Sequence, residues 1–246
     1  GEIEAYNFSQ GVICHLFREI GAQRPGLLTK VGKYTFVDPR NGGGKLNDAT
    51  KEDLVRLMEV DGDEYLFYKT FPINVAIIRG TCADEDGNVS MEQEPAMLDV
   101  LLAAQAAHNS GGIVIAQVKY PAAKGSLNSK KIKVPGVYVD AVVVDPNQWQ
   151  TGEGEYNPSF SGDIVLPVDA LKPLPLTHRK IVARRAFMEL KENAVINLGF
   201  GMPDGVASVA AEEGFSDKIT MTIEQGIYGG VPAAGAIFGV ASNPVA

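Results

Sequence analysis

Apolar positions recur at helical spacing near the start of the chain. Val12, Ile13, Leu16, Phe17 and Ile20 fall at steps of three and four, which predicts a short helix over Gly11–Gly21. Ser9 stands where a cap belongs, and Gly21 with Pro25-Gly26 supplies the stop. Thr50–Glu59 presents a second helix start, with Thr50 as cap and Glu52 and Asp53 in the first turn, where the helix dipole favours negative charge. Leu54, Val55, Leu57 and Met58 then provide its apolar side. Glu64–Lys69 and Pro72–Arg79 read as strands, the second through Val75-Ala76-Ile77-Ile78. Pro95–Asn109 is amphipathic and stops at Gly111-Gly112. The unbroken apolar runs in Ile113–Val118 and Val137–Val144 read as strands of the fully buried kind.

Residues 146–176 change character. Trp149, Gly152, Gly154, Pro158, Pro167, Pro173 and Pro175 punctuate a stretch without periodicity, which reads as a linker. A second α/β unit follows. Thr177 caps a basic helix from His178 to Lys191, and the strand Ala194–Leu198 comes next. A glycine turn, a small-residue helix from Pro203 to Glu213 and the strand Lys218–Ile223 complete a strand–helix–strand order. The pattern predicts an α/β protein with a first unit over 1–145, a linker over 146–176 and a second unit over 177–246.

Composition narrows the function classes. Of 246 residues 45% are hydrophobic and 21% charged, which suits a globular α/β chain. The net charge of −8 offers no basic field to gather a polyanion, so no nucleic-acid partner is expected. No apolar run approaches the roughly 20 residues that cross a bilayer, so no membrane partner is expected either. Cys14 and Cys82 form neither a metal spacing nor a staple framework, and a reducing, cytoplasmic setting is the expectation. His15, His108 and His178 lie far apart, and no metal site is expected.

Two tempting motifs fail on their own requirements. Around Gly42-Gly43-Gly44-Lys45 a phosphate loop would need glycine at Pro39 and Ser or Thr at Leu46. Around Asp84-Glu85-Asp86-Gly87-Asn88 a calcium loop would need ligands at Cys82 and Gln93, so Asp86-Gly87 reads instead as a hairpin turn. Lys119, Lys124, Lys130, Lys131 and Lys133 form a basic cluster, either a solvated loop or a docking surface for phosphate groups.

The chemistry gathers in the second unit. Ala194–Leu198 runs into Gly199-Phe200-Gly201-Met202-Pro203, where glycines admit a ligand to the backbone and free helix-start amides favour a negative group. After the next strand come Glu224-Gln225-Gly226 and Gly229-Gly230-Val231-Pro232. Open α/β sheets place their sites at such strand ends. Gly199, Gly201 and Gly205, with an acid at Glu224, allow a dinucleotide fingerprint and hence a nicotinamide-dependent oxidoreductase. That fingerprint has a displaced third glycine, and it leaves Gly226–Gly230 without a role. Glu224 as a nucleophile is the second reading, and a solvated strand-end residue the third.

The two glycine segments together closely resemble family I coenzyme A transferases, specifically the single-chain branch acting on short acyl-CoAs. Glu4–Gly11, Tyr65–Lys69 and Ile78–Thr81 look like the same branch, and the resemblance spans the chain. It implies two open-sheet α/β domains, the first lacking its beginning and the second its end. It further implies transfer of CoA from a short-chain acyl-CoA to a carboxylic acid, with Glu224 becoming a covalent CoA thioester by way of acyl-glutamyl anhydrides. Gln10 would be an oxyanion donor, and a second donor would be a backbone amide beyond residue 246. Gly199, Phe200, Gly201, Met202 and Pro203 would contact CoA, with Gly226, Gly229 and Gly230 keeping the backbone beside Glu224 clear. Coenzyme A and acyl-CoA are then substrates, with no prosthetic group, and the assembly a homo-oligomer. An inactive CoA-binding module is the non-enzymatic alternative.

Overall fold

In the computed structural model, which describes residues 2–152, 154–165, 173–232 and 237–240, the first helix forms where its periodicity predicts. Helix α1 (Gln10–Gly21) buries Val12, Leu16 and Ile20, although the Ser9 hydroxyl makes no cap bond. Its apolar face packs on Val37, Val55, Leu66 and Tyr68. The last three belong to an antiparallel sheet of β1 (Gly26–Thr29), β2 (Val55–Val60) and β3 (Asp63–Lys69), ordered β1-β3-β2.

Strand β2 corrects the helix expected over Thr50–Glu59. Asp61 and Gly62 both adopt positive φ, 53° and 81°, the geometry of a two-residue hairpin turn whose twist suits paired strands. The ladder from Val55↔Tyr68 to Val60↔Asp63 then outweighs the local helix preference. The Thr50 hydroxyl caps nothing; it donates to the Ala5 carbonyl and accepts the Ala5 N–H.

The second sheet of this unit contains β4 (Val75–Asp84), β5 (Val89–Ser90), β6 (Ile113–Ala122), β7 (Ile132–Val134) and β8 (Ala141–Val144), in the order β7-β5-β4-β6-β8. Strands β4, β6 and β8 run parallel. The predicted Asp86-Gly87 turn joins β4 to β5, with Gly87 at φ 81° and its N–H on the Asp84 carbonyl. Helix α2 (Val100–Asn109) starts five residues later than Pro95, after Leu98 takes a positive φ of 42°. It lays Ala104 and Ala107 on Ala76, Ile78, Val114, Ala116 and Val118. The strand expected over Val137–Val144 is shortened by a turn of 3-10 helix at Gly136–Tyr138. What remains, β8, is the sheet edge, and all four of its residues are exposed rather than buried.

By packing, the chain divides into two units, Gly1–Ser90 with Leu98–Pro146 and Met91–Met97 with Asn147–Ala246. In the second unit Gln150 is buried, accepting the Asn157 N–H and donating to the Gln93 carbonyl. The short helix α3 (Pro158–Ser161) is capped by Asn157. Residues 166–172 of the expected linker lie outside the described residues. Helix α4 (His178–Phe187) ends four residues before Lys191, without a cap bond from Thr177. Then come β9 (Val195–Leu198), α5 (Asp204–Glu212) and β10 (Thr220–Ile223), with β10 parallel to β9. Leu198, Val206, Ala207, Ala210, Ile219, Met221 and Val231 form the core beneath this pair.

Candidate active site

The register of β9 and β10 builds the site. Leu198 lies opposite Ile223, so the next residues, Gly199 and Glu224, emerge together at the carboxyl ends of two parallel strands. A Cβ on Gly199 would lie 2.8 Å from Glu224 Oε2, so any side chain here would displace the carboxylate from its present place. One step on, the Phe200 N–H donates to Glu224 Oε2 at 3.3 Å. The carboxylate is otherwise exposed. An exposed anion with one long hydrogen bond keeps lone pairs available for attack.

Glu224 is held by a tight reversal. The Gly226 N–H donates to the Ile223 carbonyl at 2.9 Å and the Ile223 N–H to the Ile227 carbonyl at 3.1 Å. Glu224, Gln225 and Gly226 are thus a three-residue hairpin loop, and Gly226 takes the left-handed φ of 90° that such loops demand. The returning chain stays against β10, through the bridge Thr222↔Tyr228 and the Gly229 N–H on the Met221 carbonyl at 2.8 Å. Gly229 and Gly230 both have positive φ, 81° and 73°. Beneath the turn, Asn197 donates to the Thr222 hydroxyl at 3.1 Å and ties the two strand ends together.

The structure therefore brings Gly199 and Phe200 against Glu224 and places Gly226 in its hairpin loop, while Gly229 lies further back, against Met221. Gly201 lies within the same loop at φ 104°, and the half-exposed Met202 precedes Pro203, whose α-type backbone (φ −65°, ψ −28°) leads into α5. Gln10 opens α1 in the first unit, its side chain exposed. The groups here are a carboxylate, backbone amides and open glycine backbone. They can attack a carbonyl and admit a slender ligand.

Three contributors escaped the pattern reading. Arg179, in the first turn of α4, donates to the Gly201 carbonyl and to Asp204 Oδ1, the latter at 2.9 Å. Asp204, the first residue of α5, is only 1% exposed. Phe238 is buried and meets the exposed Phe200 ring edge-on, with centroids 6.1 Å apart. Arg179 was visible only as part of a basic helix, and Asp204 only as an intervening residue of the glycine fingerprint. Nothing near Phe238 carried a signal.

The profile of a family described as Coenzyme A transferase matches residues 1–145. The chain is 54% identical to the caffeate CoA-transferase of Acetobacterium woodii over 237 residues, 95% of this chain and 45% of that protein. It is 46% identical to the acetate CoA-transferase YdiF of Escherichia coli strain K12, over 98% of this chain and 46% of that one. The chain thus spans about half the length of these relatives. Among solved structures, a thioester complex with CoA of the acyl-CoA transferase YdiF from E. coli O157:H7 superposes with a TM-score of 0.85 at 46% identity, covering 95% of this chain and 44% of that chain.

Proposed function

The chain belongs to the coenzyme A transferase family, and on that premise we propose that it carries the nucleophile of an enzyme moving CoA from a short-chain acyl-CoA to a carboxylic acid. One observation carries this reading: an exposed Glu224 carboxylate at the end of β10, turned toward a glycine loop that offers it a backbone N–H. Relatives named for acetate and caffeate CoA transfer, and one solved as a thioester complex with CoA, support the transfer of CoA to a carboxylic acid.

Glu224 attacks the thioester carbonyl; its oxygen bonds to the acyl carbon and the carbon–sulfur bond breaks, giving an acyl-glutamyl anhydride and CoA thiolate. The thiolate then attacks the glutamyl carbon and expels the first carboxylate, leaving CoA on Glu224 as a thioester. The acceptor carboxylate repeats the two steps in reverse, so no net proton or electron is consumed. A carboxylate needs no general base to be anionic at neutral pH, unlike a serine or cysteine. Its weakness is nucleophilicity: the thiolate leaves more readily than the anhydride forms. Binding energy from the remote nucleotide half of CoA, used at the reacting carbon, offsets that difference. Each donor aimed at the developing oxyanion adds about 3–4 kcal/mol. Gln10 is the proposed side-chain donor, an amide that donates without becoming charged.

The complete polypeptide carrying this sequence should show ping-pong kinetics with acetyl-CoA and an acid acceptor, and Glu224→Ala should reduce transfer to background. Sequential kinetics, or binding of a nicotinamide nucleotide seen by its fluorescence, would favour the dinucleotide reading instead.

A further inference from the structure

Glu224 receives its N–H from a loop whose next residue, Gly201, is at φ 104° in the least restricted backbone available to a protein. Arg179 bonds this loop from outside it. One guanidinium nitrogen, Nη2, donates both to the Gly201 carbonyl and to Asp204 Oδ1. It joins the first turn of α4 to the loop and to the first residue of α5. The Asp204 side chain is 1% exposed against 43% for Arg179, and its other oxygen meets no donor among the described residues. Arg179 is thus the cation that compensates a buried carboxylate, and the same nitrogen bonds the carbonyl one residue beyond Phe200. Planar and always charged, guanidinium suits this double task.

We propose that Arg179 is a positioning residue: clamped by Asp204, it fixes the Gly201 carbonyl and so sets the Phe200 N–H and the open backbone against which Glu224 reacts. It acts through the loop and touches neither Glu224 nor the reacting carbon. This deepens the reading of Glu224 as nucleophile and rests on it for its rate readout.

The fold supplies an internal control. Arg184, on the same helix, pairs with Glu213 just beyond the end of α5 at 2.8 Å and touches nothing in the loop. In the complete polypeptide, Arg179→Gln and the double variant Arg179→Gln/Asp204→Asn should load CoA onto Glu224 about 10- to 100-fold more slowly at saturating acetyl-CoA, the size expected of a misplaced reacting group. The double variant removes both charges, so no uncompensated carboxylate remains to unfold the unit. Arg184→Gln should load at the normal rate. Hydrogen exchange over Gly199–Pro203 should quicken in the two Arg179 variants and not in Arg184→Gln. The inference is overturned if the folded double variant loads normally, or if Arg184→Gln slows loading as much. If even the parent protein loads no CoA, the reading of Glu224 fails, and the exchange rates still decide whether Arg179 holds the loop.

Discussion

Gly199 shows how much a single Cβ decides. A methyl group there would stand 2.8 Å from Glu224 Oε2, so either the carboxylate or the loop must move. Gly199→Ala should therefore lower transfer about 100-fold with little change in stability, since a displacement near 1 Å has that effect on rate. Steady-state kinetics beside a thermal melt would check it. Asp38 tests electrostatics far from this chemistry. Hydrogen bonds from the Arg40 guanidinium, then from the backbone N–H groups of Tyr34 and Arg40, hold its carboxyl far below the usual carboxylate range, against the opposing effect of burial. A depressed folded value means stabilisation that is complete above the unfolded value near 3.9 and lost as pH falls below it. Asp38→Asn should cost about 2 kcal/mol at neutral pH and flatten the fall in urea midpoint below about pH 4. The Cys14 thiol is pushed up to about 11 by burial and by donating to Asp99 at 2.8 Å. It should resist iodoacetamide at pH 8 until the protein unfolds.

Elements with their own punctuation were legible in the sequence. Helix α1, the strands β9 and β10 and the glycine turn between them form close to where periodicity and glycines set them. So does the Asp86-Gly87 turn. The misread elements are those decided by partners. Thr50–Glu59 has helix-start chemistry, yet Asp61-Gly62 folds it back on β3, and that dipeptide was the stronger signal. Val137–Val144 has the composition of a buried strand, yet the part that forms one, β8, lies at the sheet edge with its residues exposed. Within the candidate site, Glu224 and the glycines drew a reading because chemistry and turn geometry restrict those residue types. Arg179 and Asp204 drew none, since their pairing spans 25 positions and appears only once α4 and α5 pack. The hairpin loop offers a test at this scale. Gly226 sits at φ 90° with nothing within 4 Å of an added Cβ, so Gly226→Ala introduces backbone strain without a clash. It should destabilise the second unit by about 1–2 kcal/mol, readable as a lower urea midpoint.

Across the first unit, the five-stranded sheet is covered unevenly. Opposite α2 stand Val75, Ile77, Ile113 and Val143, exposed by 48%, 77%, 49% and 50%. Parallel sheets ordinarily bury both faces, and an apolar patch of this kind collects hydrophobic probes. The 246-residue chain should bind a hydrophobic dye, and Ile77→Glu should weaken that fluorescence while costing no more than about 0.5 kcal/mol. The chain also spans only 45% of its caffeate-transferase relative, so the chemistry is tested on the complete polypeptide. Its acid scope can be mapped by offering acetate and bulkier acids in turn. The most direct measurement is peptide mass after brief exposure to acetyl-CoA. The peptide containing Glu224 should gain CoA in thioester linkage, and Glu224→Ala should lose that adduct. A folded Glu224→Gln protein that still moved CoA between acids, with its amide shown intact, would contradict the account.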